Sequence, residues 1–98
     1  MTDYVHSLTV VWSASAQSAF FASLEKIENE DAGAARLIIQ RVDKSINLIA
    51  AHPNLGTFTA MTGVRRYAIP NTGHTINYRI AHGELRILRW YRQRQHIK

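Results

Sequence analysis

Apolar positions recur along the chain with two different periods. Ser7-Leu8-Thr9-Val10-Val11-Trp12 is short and rich in β-branched residues, which predicts a strand. Ser13 follows it with a side-chain oxygen placed to accept from the first free N–H groups of a helix. From there Ala16, Phe20, Leu24 and Ile27 recur at spacings of three and four, one apolar stripe of a helix. Asn29-Glu30-Asp31-Ala32-Gly33 interrupts the stripe. A second helix is predicted from about Ala34 to Ala51, with Ile38, Val42, Ile46 and Ile49 facing inward and Asp31 as a nearby cap. Pro53 cannot continue it, so the helix ends at or before His52. Two helices joined by so short a loop form an antiparallel hairpin with their apolar faces turned the same way.

From Val64 onward the period shortens to that of a strand. Val64 to Ile69, Thr75 to Ile80 and Leu85 to Trp90 are three runs separated by turn chemistry: Pro70-Asn71-Thr72-Gly73 in one gap, His82-Gly83 in the other. In the middle run Ile76, Tyr78 and Ile80 are expected to face the helices, with Thr75, Asn77 and Arg79 on an open polar side. The order of elements predicts an α+β fold. An N-terminal strand and an antiparallel helical hairpin pack on one face of an antiparallel β-meander. With 98 residues, the expectation is a single domain over residues 1–98.

Composition narrows the chemistry. The absence of cysteine removes disulfides, thiol catalysis and zinc–thiolate sites. The uncharged stretch Ser7 to Leu24 is too polar for a membrane helix, and Met1-Thr2-Asp3 opens no export signal, so a cytoplasmic protein with no membrane partner is expected. Charge is divided unevenly along the chain. Residues 1–53 carry four basic and six acidic side chains, whereas residues 54–98 carry eight basic ones against Glu84 alone. Seven of those eight are arginine, the better fork for phosphate or carboxylate, so the C-terminal half is expected to meet a polyanion or an acidic protein surface.

The candidate residues lie in that half. Arg79 is expected on the open side of its strand, with Arg65 or Arg66 across from it and Arg86 or Arg89 on its other flank. The tail Leu88-Arg89-Trp90-Tyr91-Arg92-Gln93-Arg94-Gln95-His96 interleaves aromatics with cations, the equipment for gripping nucleotides by stacking and charge. Trp90 also fits the last core position of its strand. Tyr91 and His96 are the acid/base candidates beside the arginines, since no paired carboxylates occur there. His6, His52, His74 and His82 are scattered without metal-ligand spacing, and Gly56, Gly63, Gly73 and Gly83 are isolated turn glycines, so neither a metal nor a phosphate-loop cofactor is assigned.

The motifs in order resemble a known family. Val11-Trp12-Ser13 leading into a helix and Ala34-Ala35-Arg36 opening a second are similar to the start of a RelE/ParE-superfamily toxin of type II toxin–antitoxin systems. His52-Pro53-Asn54-Leu55-Gly56 resembles that family's hPxxG break, and Gly63-Val64-Arg65-Arg66-Tyr67-Ala68-Ile69 its arginine-bearing strand. Ile76-Asn77-Tyr78-Arg79-Ile80 and Leu85-Arg86-Ile87-Leu88-Arg89 resemble the two strands that follow. The likeness spans roughly residues 8–94. It implies a cytoplasmic toxin neutralised by a cognate antitoxin protein, by one of two routes. A RelE-type member is a ribosome-dependent mRNA endonuclease, in which Arg65 or Arg66, Arg79 and Tyr91 would stand at the catalytic positions. A ParE-type member poisons DNA gyrase without a catalytic constellation of its own; Arg79, Arg86, Arg89, Trp90, Arg92, Arg94 and His96 would then be contact residues. The stretch from Asn54 to Gly63 has no basic residue, where RelE-type toxins tend to carry lysines, and the arginine-rich ending is nearer to ParE-type endings. Neither route implies a cofactor. A nucleic-acid-binding module without toxicity is the reading from a different class.

Overall fold

In a computed structural model that describes residues 8–92, the chain runs β1 (Thr9–Trp12), α1 (Ala14–Glu30), α2 (Ala34–Ala51), β2 (Thr57–Phe58), β3 (Arg65–Ile69), β4 (His74–Ala81) and β5 (Glu84–Arg92). The strands form one five-stranded sheet in the order β1-β5-β4-β3-β2. The expected meander is its centre, with β3, β4 and β5 antiparallel to one another. Two features extend it. β1 pairs parallel with β5, Trp12 opposite Ile87, and the two-residue β2 adds an antiparallel edge beside β3. The sheet is therefore mixed, not a pure meander.

The helices cover one face. Ile38, Val42, Ile46 and Ile49 of α2 are buried together with Ile69, Ile76, Tyr78, Leu85, Ile87 and Trp90 of the sheet. On α1 only Ala16 is fully buried; Phe20, Leu24 and Ile27 pack against the core from its rim. Aromatic rings close that rim. Phe20 stacks on Trp12 at 5.0 Å and meets Trp90 edge-on at 4.8 Å.

Ser13 joins the two layers. Its Oγ accepts from Ala16 N–H as the cap of α1, while its hydroxyl donates to the Leu88 carbonyl of β5 at 3.0 Å. Asp31 does not cap α2 with its side chain. It ends α1 instead, its N–H donating to the Ile27 carbonyl, and its own carbonyl accepts from Ala34 N–H. Gly33, in the left-handed region at φ 96°, occupies the cap position of α2. The β4–β5 turn also needs positive φ, at His82 (53°) and Gly83 (73°), the backbone of a tight hairpin of the primed kind.

Register keeps the expected alternation of facing along β4, but burial does not follow it at either end. Thr75 is on the open side as expected yet buried there under its neighbours, and Ile80 is on the inner side as expected yet 36% exposed where the strand runs out towards its turn. β5 contains a bulge. Asn77 pairs with Arg89 but Tyr78 pairs with Ile87, so Leu88 is the extra residue.

Candidate functional site

Directly opposed residues of neighbouring strands point to the same face of a sheet. On the face away from the helices, Arg66, Asn77 and Arg89 stand side by side across β3, β4 and β5, and Ala68, Thr75 and Tyr91 form the next row. In the row on the other side, Arg79 of β4 faces Arg86 of β5. A regular strand would turn Arg86 and Arg89, three residues apart, to opposite faces. The bulge at Leu88 keeps both on this one.

The small side chains of Ala68 and Thr75 leave a groove of roughly 800 Å³, walled by Arg89 and Tyr91 on one side and by Leu55, Thr57 and Arg66 on the other. Tyr91 is held in place from two directions. Its hydroxyl donates to Asn77 Oδ1 at 2.9 Å, and the Arg89 guanidinium lies over its ring at 4.7 Å. Among the described residues the one ion pair is Arg86 Nε to Glu84 Oε1, 2.8 Å. Arg66, Arg79 and Arg89 have no acidic partner there.

Arg65 is not part of this face. It lies opposite Tyr78, on the helix side of the sheet, because adjacent strand residues must face opposite ways. Its guanidinium donates to the carbonyls of Asn54 and Gly56, at 3.2 and 2.7 Å, and covers the Phe58 ring at 4.3 Å. The Tyr78 hydroxyl holds the same loop. It accepts from Gly56 N–H at 2.9 Å and donates to the Pro53 carbonyl at 2.8 Å. Burial pushes the Tyr78 phenol above its ordinary range, against the Gly56 hydrogen bond and the Arg65 charge. Gly56 has no room for a side chain: a Cβ would lie 2.8 Å from both the Arg66 carbonyl and the Tyr78 ring. The Pro53–Gly56 break, Arg65 and Tyr78 are thus one clamp that fixes the wall of the groove. The spacing of these residues along the sequence does not reveal it, since the clamp depends on strand register.

Trp90 is likewise structural. It is buried, donates from Nε1 to Ser23 Oγ at 3.0 Å, and stacks on His74 at 4.6 Å. At 5% exposure its ring belongs to the core and little of it reaches the surface. His74, also buried, sits 3.0 Å through Nδ1 from the Thr72 carbonyl, which can only accept, so Nδ1 carries the proton. Burial holds its pKa below the usual histidine range; the Thr72 hydrogen bond opposes this and the Arg92 charge adds to it. Arg92 is exposed at the end of β5. Arg94 and His96 lie outside the described residues.

Chemically, the face offers guanidinium groups, one phenol, an amide and a threonine-lined floor. The residues lining the groove include no carboxylate and no imidazole. Among the described residues, no three His, Asp or Glu side chains gather as a metal site. None of the described helices is long and apolar enough to cross a membrane.

A family model described as the ParE toxin of a type II toxin–antitoxin system, parDE, matches residues 10–97. The chain belongs to the ParE toxin family. A solved structure described as the chromosomal ParDE TA system from P. aeruginosa is similar with a TM-score of 0.76. It is 19% identical, over 90% of this chain and 98% of that one. At that identity the likeness speaks for the fold: the ParE-family chain shares its α+β architecture of helical hairpin and sheet. No curated protein matches the chain.

Proposed function

We propose that this ParE-family chain is a cytoplasmic toxin that arrests growth by poisoning DNA gyrase, and that a cognate antitoxin neutralises it. The observation that carries the reading is the family match over residues 10–97. The geometry of the groove supports it. The Tyr91 proton is directed at an amide oxygen, and Asn77 cannot take up a proton as a general base would. Of the two β3 candidates a nuclease reading offers, Arg65 is spent on the clamp of the 53–56 loop, which leaves Arg66. The remaining arginines of the open face, Arg66, Arg79, Arg86 and Arg89, form the contact surface in this reading together with Arg92, exposed at the end of β5, while the further expected contacts Arg94 and His96 lie outside the described residues. An acidic antitoxin segment covers the positive charge in the neutralised state.

Tyr91→Phe tests the choice of route. It keeps the ring under Arg89 and deletes one hydroxyl. In a nuclease, proton transfer through that oxygen is worth ~10²–10⁴-fold in rate, so its loss ends toxicity and mRNA cleavage together. In a gyrase poison nothing passes through it. Induced expression of Tyr91→Phe is expected to remain toxic and to raise a DNA-damage response without mRNA cleavage. A stably folded variant that has lost its toxicity would make the endonuclease the better reading.

A further inference from the structure

The open face carries more positive charge than its own fold answers. Arg79 and Arg86 stand directly opposite each other, an arrangement that destabilises a sheet, and among the described residues Glu84 pairs with Arg86 alone. Arg66 and Arg89 flank Asn77 in the adjoining row. Rows on one face of a strand are about 7 Å apart and neighbouring strands about 5 Å apart, so these guanidinium groups form a ladder of charge. Five of the seven acidic residues sit on or between the helices, in the layer on the far side of the sheet. A repeating anion fits such a ladder better than a single one does.

Beside the ladder are places for flat groups. Tyr91, under Arg89, borders the groove of roughly 800 Å³. On the other side of Asn77 and Arg89 lies a mostly apolar hollow of about 350 Å³, lined by Met61, Val64 and Leu88. Arg89 and Asn77 border both hollows, so one chain can run from one to the other past the same two side chains.

We propose that this face binds a single strand of DNA, with backbone phosphates on Arg66, Arg79 and Arg89 and a base stacked on Tyr91. A peptide gains little here. β4 is paired on both sides over His74–Tyr78 and β5 over Glu84–Ile87, so backbone is open to strand addition only along the borders of the sheet, and a strand added there lies in the plane of the sheet and leaves the hollows on its face empty. A duplex keeps its bases stacked within itself and leaves both hollows empty. An unpaired strand uses phosphates and bases together, as a cationic surface with an aromatic platform requires. The choice of DNA over RNA rests on the gyrase reading, in which the toxin works where a DNA strand is held open.

The test is fluorescence anisotropy of the full-length chain with a labelled short oligodeoxythymidylate, titrated between about 50 and 200 mM salt. Three phosphate contacts predict that log affinity falls with log salt at a slope of about −2, since each single-strand contact contributes about −0.7. Arg66→Ala and Arg89→Ala are each expected to weaken binding and flatten the slope by about 0.7, whereas Arg66→Lys, which keeps the charge, retains the slope. Tyr91→Ala is expected to lose about tenfold in affinity and Tyr91→Phe to keep it. Arg36→Ala, on the exposed side of α2, is expected to leave binding unchanged. Absence of binding, or binding indifferent to Arg66→Ala and Arg89→Ala, overturns the proposal. So does tighter binding of oligouridylate, of duplex DNA or of polyglutamate. Arginine-dependent binding of the DNA strand by a protein that leaves gyrase untouched upholds the groove and removes only the target reading.

Discussion

Gly56 has the least freedom of any residue near the groove. A methyl group there would press on the Arg66 carbonyl and the Tyr78 ring, both at 2.8 Å and both parts of the sheet. Gly56→Ala is therefore expected to cost ~1–3 kcal/mol, read as a fall in melting temperature of about 4–8 °C per kcal/mol. An unchanged melting temperature would show that the loop is not clamped. His74 makes stability depend on pH. Its pKa is lowered on folding, mainly by burial, so the unfolded chain takes up the proton first as pH falls. Its contribution is fully present above about pH 6.5, the ordinary value of the unfolded imidazole, and is lost as pH drops from there through the lower folded value. Melting temperature should fall on acidification across that window, and His74→Gln should flatten the profile. An equal slope in the two proteins would place the acid sensitivity elsewhere.

At the scale of elements, the apolar stripe of α2 is what holds the hairpin to the sheet. Ile38 is buried at 8% exposure and its neighbour Ile39 is 48% exposed. Ile38→Asp should cost about 3–5 kcal/mol, because a carboxylate would be buried without a partner, while Ile39→Asp should stay within about 0.5 kcal/mol. Chemical denaturation of the two variants checks this, and equal stabilities would refute the assignment of the core face. Both helices and the three central strands are legible in the sequence because burial on one side imposes a period of 3.6 or 2. β1 pairing with β5 and the two-residue β2 are not, since neither a parallel partner far along the chain nor so short a strand leaves a periodic trace. The make-up of the open face is legible too: Arg66, Arg79, Arg89 and Tyr91 share one side of the sheet, with Arg79 two rows from Tyr91. Arg65 and Arg66 cannot both serve it, and register with Tyr78 and Asn77 decides between them. The adjacent apolar pair Ile87-Leu88 does break the alternation of β5, and this is the visible sign of the bulge that turns Arg86 and Arg89 to one side.

At the scale of the whole molecule, the fold separates charge. The helical layer holds most of the acidic residues, and the sheet turns Arg66, Arg79, Arg86 and Arg89 away from it. This polarity orients the protein towards anionic surfaces and lets a single acidic partner cover the working face. If this face acts on gyrase, as we propose, a supercoiling reaction with the purified enzyme reads it out. Purified full-length chain is added to gyrase, ATP and relaxed plasmid, and the products are resolved after removal of protein. Supercoiling is expected to stop and cleaved DNA to accumulate, with Tyr91→Phe as active as the parent. Undisturbed supercoiling at toxin concentrations well above those of gyrase, from a chain that still arrests growth and cuts mRNA on ribosomes, would contradict the proposal.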